Sequence, residues 1–327
     1  MRRATVTFLL LVAAGAPTAA ASAQTPVAPV QPVAAQMALK IERVGGPRAT
    51  VLSGSSVRVT GSSTAFAPGE TVTVRVYIAG KKRFARRVAL QPRADGTGGI
   101  LLSYRPRRPG SMIITATHAA SPALSTFIAK SRSIDVIPRR VRPSSGAASI
   151  RSLQRRLRRL GYVTGARGSF DARTARAVLA FRKVTGMART TSASTSVMLA
   201  IAAGKGRFVV RFPKHGRHIE ADLSRQVIAL IAGGRVQRIY PVSSGAPSTP
   251  TVPGSFKVYS KTPGTNAKGM VHSAYFIRGY ATHGYPSVPI FPASHGCLRV
   301  PIPDARRLFN WIRIGTRVDV YHGPKPR

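Results

Sequence analysis

Between Ala38 and Pro138 the chain rarely runs ten residues without a turn signal, and that punctuation restricts the segment to short strands. Thr71 to Tyr77 alternates apolar and polar residues with a period of two. Val57 to Thr60, Ile100 to Tyr104, Ser111 to Thr117 and Ile134 to Ile137 are further short runs of strand-forming residues. Pro68-Gly69, Ala79-Gly80, Asp95-Gly96 and Pro109-Gly110 separate them. Period-two alternation exposes one face and buries the other, and strands this short need a second sheet to cover the buried face. The pattern predicts an antiparallel, immunoglobulin-like sandwich over residues 38–138. It holds no cluster of reactive side chains, and His118 stands alone there, structural or exposed.

At 327 residues the chain has room for further domains. Residues 1–23 read as a signal peptide, with Arg2 and Arg3 before the apolar stretch Phe8 to Ala14 and Ala21-Ser22-Ala23 as the cleavage site. The apolar stretch is short of the roughly 20 residues that span a bilayer, and no other segment comes nearer, so no transmembrane segment is expected after cleavage. Residues 24–37 form a Pro/Ala-rich linker without an apolar face. A second linker covers residues 139–148.

A small three-helix module is expected over residues 149–204. Ser149 can cap a helix that places Ile150, Leu153, Leu157 and Leu160 on one face and Arg151, Arg155, Arg156, Arg158 and Arg159 on the other. Asp171 can cap the next, and a weaker helix runs through Thr195 to Ala203. A β-rich domain follows over residues 207–322, opening with a strand at Phe208 to Phe212. His218 to Leu223 and a hairpin turning at Gly233-Gly234 come next, and Asp304 to Ile312 forms a helix after them.

The charge is lopsided: 51 Lys+Arg against 9 Asp+Glu, a formal net charge of +42. Such a surface attracts polyanions. Export excludes nucleic acid as the natural partner and leaves anionic cell-wall polymers and lipid headgroups as candidates, beside a merely solvated basic face. Export also bears on Cys297, the only cysteine, which has no intramolecular partner for a disulfide. It lies in Ala281 to Arg299, ATHGYPSVPIFPASHGCLR, two positions after His295 and fourteen after His283. A thiol becomes a good nucleophile as the thiolate, which a neighbouring imidazole can generate. A zinc reading, with His283, His295, His215 or His218 as ligands, matches no common zinc spacing, so no metal is expected.

Ser294-His295-Gly296-Cys297, preceded by His283-Gly284 and followed by Arg299, resembles the active-site signature of the L,D-transpeptidases, the YkuD-type catalytic domain of peptidoglycan-remodelling enzymes. Pro241-Val242-Ser243-Ser244-Gly245 and the turn Thr249 to Phe256 extend the resemblance across essentially all of residues 207–322. Leu153 to Phe181 is similar to a peptidoglycan-binding helical module, though Gly168-Ser169 stands where that module carries an acidic residue and a glycine. The resemblance implies a β-rich fold, a cysteine acyl transfer from a tetrapeptide stem to an amine, 3→3 crosslinks and no cofactor. Cys297 would be the nucleophile and His283 its base, oriented by the Gly284 carbonyl. Gly296 and Cys297 would supply oxyanion N–H donors. His295 joins the catalytic candidates, and Ser294 braces the turn. Arg299, with Ser294, Gly284 and Tyr285, would meet the substrate, with Tyr275 and Phe276 as pocket or core aromatics. Two alternatives stand beside this: a carboxypeptidase-type hydrolase that uses water, and a non-catalytic wall-binding protein.

Overall fold

The computed structural model describes Met1, residues 31–47 and residues 49–324. The expected signal peptide, apart from Met1, and residues 24–30 of the linker lie outside the described residues. The rest of that linker is not a spacer. Val33 N–H donates to Ala123 O at 3.0 Å and Ala35 is buried, so the segment docks on the first domain.

That domain begins with β1 (Met37–Glu42), β2 (Thr50–Leu52), β3 (Val57–Ser63), β4 (Thr71–Ile78) and β5 (Lys81–Ala89). It continues through β6 (Gln91–Pro92), β7 (Gly98–Tyr104), β8 (Gly110–His118), β9 (Phe127–Lys130) and β10 (Ile134–Ile137). One sheet has the order β1-β3-β7-β6 and the other β2-β10-β8-β4-β5, with β9 also on β8. The alternation puts Val57, Val59, Ile100 and Leu102 of the first sheet into one core with Val72, Val74, Val76, Met112 and Ile114 of the second. The sandwich is not purely antiparallel. The chain changes sheets between β1 and β2, and β2 then lies parallel to β10. Strand β5, KKRFARRVA, is legible only in three dimensions. Its Phe84 and Val88 touch the core while Lys and Arg crowd the outside of an edge strand, which discourages edge-to-edge pairing. His118 is buried and hydrogen-bonded to Glu70 at 2.8 Å, a structural role.

The helices are α1 (Ala147–Arg159), α2 (Ala172–Val184) and α3 (Thr195–Ala202). Asp171 caps α2, accepting from Thr174 N–H at 2.8 Å. Ser149 does not cap α1. Its own N–H already donates to Gly146 O at 2.9 Å, so the helix starts three residues earlier with Gly146 as cap. Arg156 is also not on a solvated face: it is buried at the seam with the sandwich and pairs with Asp135 at 2.9 Å.

The last region contains β11 (His218–Asp222), β12 (Val227–Ala232), β13 (Arg235–Pro241), β14 (Gly254–Lys257) and β15 (Ser260–Thr265). After these come β16 (Val271–Ile277), β17 (Tyr280–Tyr285), β18 (Leu298–Pro301), α4 (Ile302–Trp311) and β19 (Arg317–Tyr321). They make two sheets, β13-β12-β11-β19-β14 and β15-β16-β17-β18. Strand β12, VIALIA, is apolar on both faces because both are covered. Ile228 and Leu230 face the core shared with β17, β18 and α4. Val227, Ala229 and Ile231 face the helices, joining Leu153, Leu157, Phe181 and Met198 in one cluster that also takes in Ile137 of the sandwich.

Phe208 to Phe212 is not a strand. Arg211 and Phe212 donate their N–H groups to the carboxylate of buried Glu220, so the backbone is satisfied by a side chain rather than a neighbouring strand. Glu220 also accepts from Tyr321 Oη at 2.9 Å. Among the described residues no helix is long and apolar enough to cross a membrane.

Candidate active site

Strands β17 and β18 run parallel and set the site. Their register pairs Thr282 with Leu298 and His283 with Arg299. Side chains of directly paired residues point to the same face, and so do those two apart on a strand. Cys297, one residue before β18, therefore lies on the His283 face, diagonal to it. The thiol accepts from Ala281 N–H at 3.4 Å and sits 3.9 Å from Gly279 O in the β16–β17 turn.

His283 is buried, and its Nδ1 lies 2.9 Å from Gly284 O. A carbonyl can only accept, so Nδ1 carries the proton and Nε2 keeps its lone pair. Gly284 is required for close packing: a Cβ there would come within 2.6 Å of the Ala305 Cβ on α4. The Tyr285 ring stands perpendicular to the imidazole at 5.7 Å, and the Arg299 guanidinium lies over the same ring at 4.2 Å.

Burial pushes the Cys297 thiol up from its ordinary value, against the Ala281 N–H and the charges of Arg299 and Lys268, which pull it down. Burial pushes His283 down, helped by Arg299 and opposed by the hydrogen bond to Gly284. The sequence led us to expect an imidazolium holding a thiolate. Desolvation disfavours both charges.

The loop before Cys297 is braced from several sides. Ser294 Oγ donates to Cys297 O at 2.6 Å and accepts from Gly296 N–H at 3.2 Å. That bond corrects one expectation: the buried Gly296 N–H is already satisfied and is not a free oxyanion donor. Gly296 has φ +103, and a Cβ on it would lie 2.6 Å from the Tyr280 ring. Thr251 Oγ1 donates to Gly296 O at 2.8 Å and accepts from Gly245 N–H at 2.9 Å. Arg299 Nη1 donates to Ala293 O at 3.0 Å, so part of its fork is spent on the loop. His295 is exposed and has no hydrogen bond or ion pair among the described residues. Phe276 is core, and Tyr275 is half-buried beside Asn266. The other zinc candidates lie elsewhere, His215 against Asp319 and His218 against Glu220. No cluster of His, Cys, Asp and Glu among the described residues is arranged to hold a metal.

Three supporting residues escape a reading of the sequence because their partners are distant in the chain. Gln226 holds Ser244 twice, through Nε2 to Ser244 Oγ at 2.6 Å and from Ser244 N–H to Oε1 at 3.0 Å. Lys183 on α2 donates to Val242 O at 3.0 Å and Gln226 O at 3.1 Å. Arg189 reaches from the helical region to Ile290 O at 3.0 Å and Ser224 O at 2.8 Å. Ser243 and Arg299 exchange backbone bonds at 3.0 and 3.1 Å, so the helices hold the segment that holds the cysteine loop.

Residues 216–320 match the family profile of the L,D-transpeptidase catalytic domain, and residues 146–198 match that of a peptidoglycan binding domain. A crystal structure of an L,D-transpeptidase from Xylanimonas cellulosilytica is 33% identical, with TM-score 0.51, covering 56% of this chain and 98% of that one. The catalytic domain of an Enterococcus faecium L,D-transpeptidase is 28% identical with TM-score 0.29, covering 33% of this chain and 98% of that one. An L,D-transpeptidase from Mycobacterium tuberculosis is 13% identical with TM-score 0.31, covering 86% of this chain and 97% of that one. No curated protein sequence matches.

Proposed function

The chain belongs to the L,D-transpeptidase family, and from that premise we propose that it is an exported peptidoglycan enzyme working by cysteine acyl transfer. The observation that carries the reading is the strand register that puts the half-buried Cys297 thiol on the same face as an imidazole whose Nδ1 proton is committed to Gly284 O. That leaves Nε2 as a base on the same face as Cys297.

In the first step the Cys297 S–H proton passes to His283 Nε2 as sulfur attacks the carbonyl of the third stem residue. A C–S bond forms, and the oxyanion takes the Cys297 N–H in place of the committed Gly296 N–H. The imidazolium then returns its proton to the departing amine of the terminal D-alanine as the C–N bond breaks. In the second step an amine of another stem attacks the thioester, His283 accepts its proton, and a 3→3 crosslink forms as sulfur leaves. General-base help of this kind is worth about 10²- to 10⁴-fold. The free half of the Arg299 fork meets a stem carboxylate, with Tyr285 and Ser294 shaping the approach. His295 contacts substrate from the rim. The helical region lies against peptidoglycan, and the sandwich acts as a spacer or wall-contact module.

The test is intact-mass spectrometry of the mature protein with a disaccharide-tetrapeptide, beside Cys297→Ala. An acyl adduct with released D-alanine in the wild type alone, accompanied by dimeric muropeptide, is the expected result. Released D-alanine without dimer would make the acceptor water. Neither adduct nor product from folded wild type would refute acyl transfer. A carbapenem should add its mass to wild type and not to Cys297→Ala.

A further inference from the structure

The charge imbalance has an address in the fold. All nine carboxylates of the chain are engaged within the molecule. Glu42, Asp135, Asp222 and Asp304 pair with Lys or Arg, Glu70, Glu220 and Asp319 bond to His118, His218 and His215, Asp171 caps α2, and Asp95 bonds to Thr97. None is left to neutralise a groove of about 610 Å³ between α1 and the Pro109–Gly110 end of the β7–β8 loop. Arg151, Arg155, Arg158 and Arg159 of α1 and Arg167 of the following loop line it, all exposed. Arg158 bonds only to Thr164, and Asp135 in the adjoining cleft is held by Arg156. Arg105, Arg107 and Arg108 are exposed on the strand-connecting loop that forms the opposite wall.

Like charges four apart on a helix repel and destabilise it. Arg151, Arg155 and Arg159 are such a series, with no acidic residue on α1 to relieve them. The free protein therefore carries a strain that a bound anion would remove. Every cation lining the groove is arginine, whose planar fork takes two oxygens of one phosphate. Successive guanidinium rows are about 6 Å apart along the helix, from four residues at a 1.5 Å rise. No aromatic side chain lines the groove, so the bases of a nucleic acid would find nothing to stack on.

We propose that this groove is a binding site for a linear phosphodiester polymer of the polyol-phosphate class, laid along α1 with its charges on successive arginines. The assignment does not depend on the acyl-transfer reading.

The test measures binding of full-length mature protein to labelled poly(glycerol phosphate) by fluorescence anisotropy across a salt series. The groove variant Arg151→Gln/Arg155→Gln/Arg159→Gln is compared with a control of equal charge loss on strand β5, Lys82→Gln/Arg83→Gln/Arg86→Gln. Circular dichroism confirms that both are folded. The groove variant should lose about tenfold or more in affinity and flatten the salt dependence by about two to three ions, while the control loses under about threefold. Equal losses in both variants would overturn the site in favour of general charge attraction. Polyglutamate binding as tightly as the polyol phosphate would overturn the phosphate assignment. A single-stranded oligonucleotide of equal charge binding tighter would overturn the polymer class.

Discussion

Replacing Lys183 by Met tests how the helices hold the site. The Lys183 side chain is 2% exposed, and burial, with a smaller push from Arg189, brings its pKa from 10.5 down to about 7. Its ammonium donates to Val242 O and Gln226 O. In the unfolded chain the same amine stays protonated up to about 10.5. Between those two values the unfolded state binds more protons than the folded state, so Lys183 makes stability rise with pH. Integrating the two titrations from pH 7.5 to pH 9.5 gives about 2.5 kcal/mol, with a steepest slope of about 1.4 kcal/mol per pH unit. Lys183→Met removes this dependence, and all other titrating groups cancel in the difference. The substitution also strips Val242 O of its donor, a loss of about 1–3 kcal/mol at any pH. Urea unfolding of both proteins at pH 7.5, 8.5 and 9.5 reads the difference. The wild type should gain about 2.5 kcal/mol on the variant over that range. A difference flat to within about 0.5 kcal/mol would refute the reasoning, because the carbonyl dipoles would then be holding the ammonium charged against burial.

Iodoacetamide should alkylate Cys297 at a rate that keeps climbing beyond pH 9, because burial raises the thiol. A plateau below pH 8 would mean a preformed thiolate. Gly296→Ala places a Cβ at φ +103 against Tyr280; a strain of about 1–3 kcal/mol should appear as a lowered Tm together with lost acyl transfer, and an unchanged Tm would refute the clash. Glu220→Gln loses the charge that the Arg211 and Phe212 amides and Tyr321 donate to. It should cost about 1.5–3 kcal/mol in urea unfolding, and a neutral outcome would show that the amide replaces the carboxylate.

Local signals in the chain were enough for the strands β3, β4, β7, β8 and β10, for α2 with its Asp171 cap, and for the candidate pair His283 and Cys297. Each depends on residues within a few positions of one another or on a short motif. The failures share a different cause. Phe208 to Phe212 looks like a strand, yet its amide partner is the Glu220 side chain, which no period-two pattern encodes. Arg156 falls among solvated arginines on a helical wheel, but the sandwich packs on that side and supplies Asp135. KKRFARRVA has too few apolar residues, Phe84 and Val88, to announce a strand, and only tertiary packing identifies it as β5. Lys183 and Arg189 act on carbonyls 35 to 101 positions away, beyond any local signal.

The cluster that joins α1, α2 and α3 to strand β12 leaves no lubricated seam between the arginine groove and the cysteine. Here strand β12 is common to both cores, with Val227, Ala229 and Ile231 packed on the helices and Ile228 and Leu230 packed with Leu298 and Val300 of β18. If both proposals hold, a polymer along α1 and a stem peptide over Cys297 would be linked through that strand, and the fold would gauge how far from a polyanion the chemistry is done. Lengthening a loop between the helices and the sheet would not change that reach. Cutting the helices away would instead expose the apolar face of Val227, Ala229 and Ile231, and the isolated sheet would aggregate before it could act.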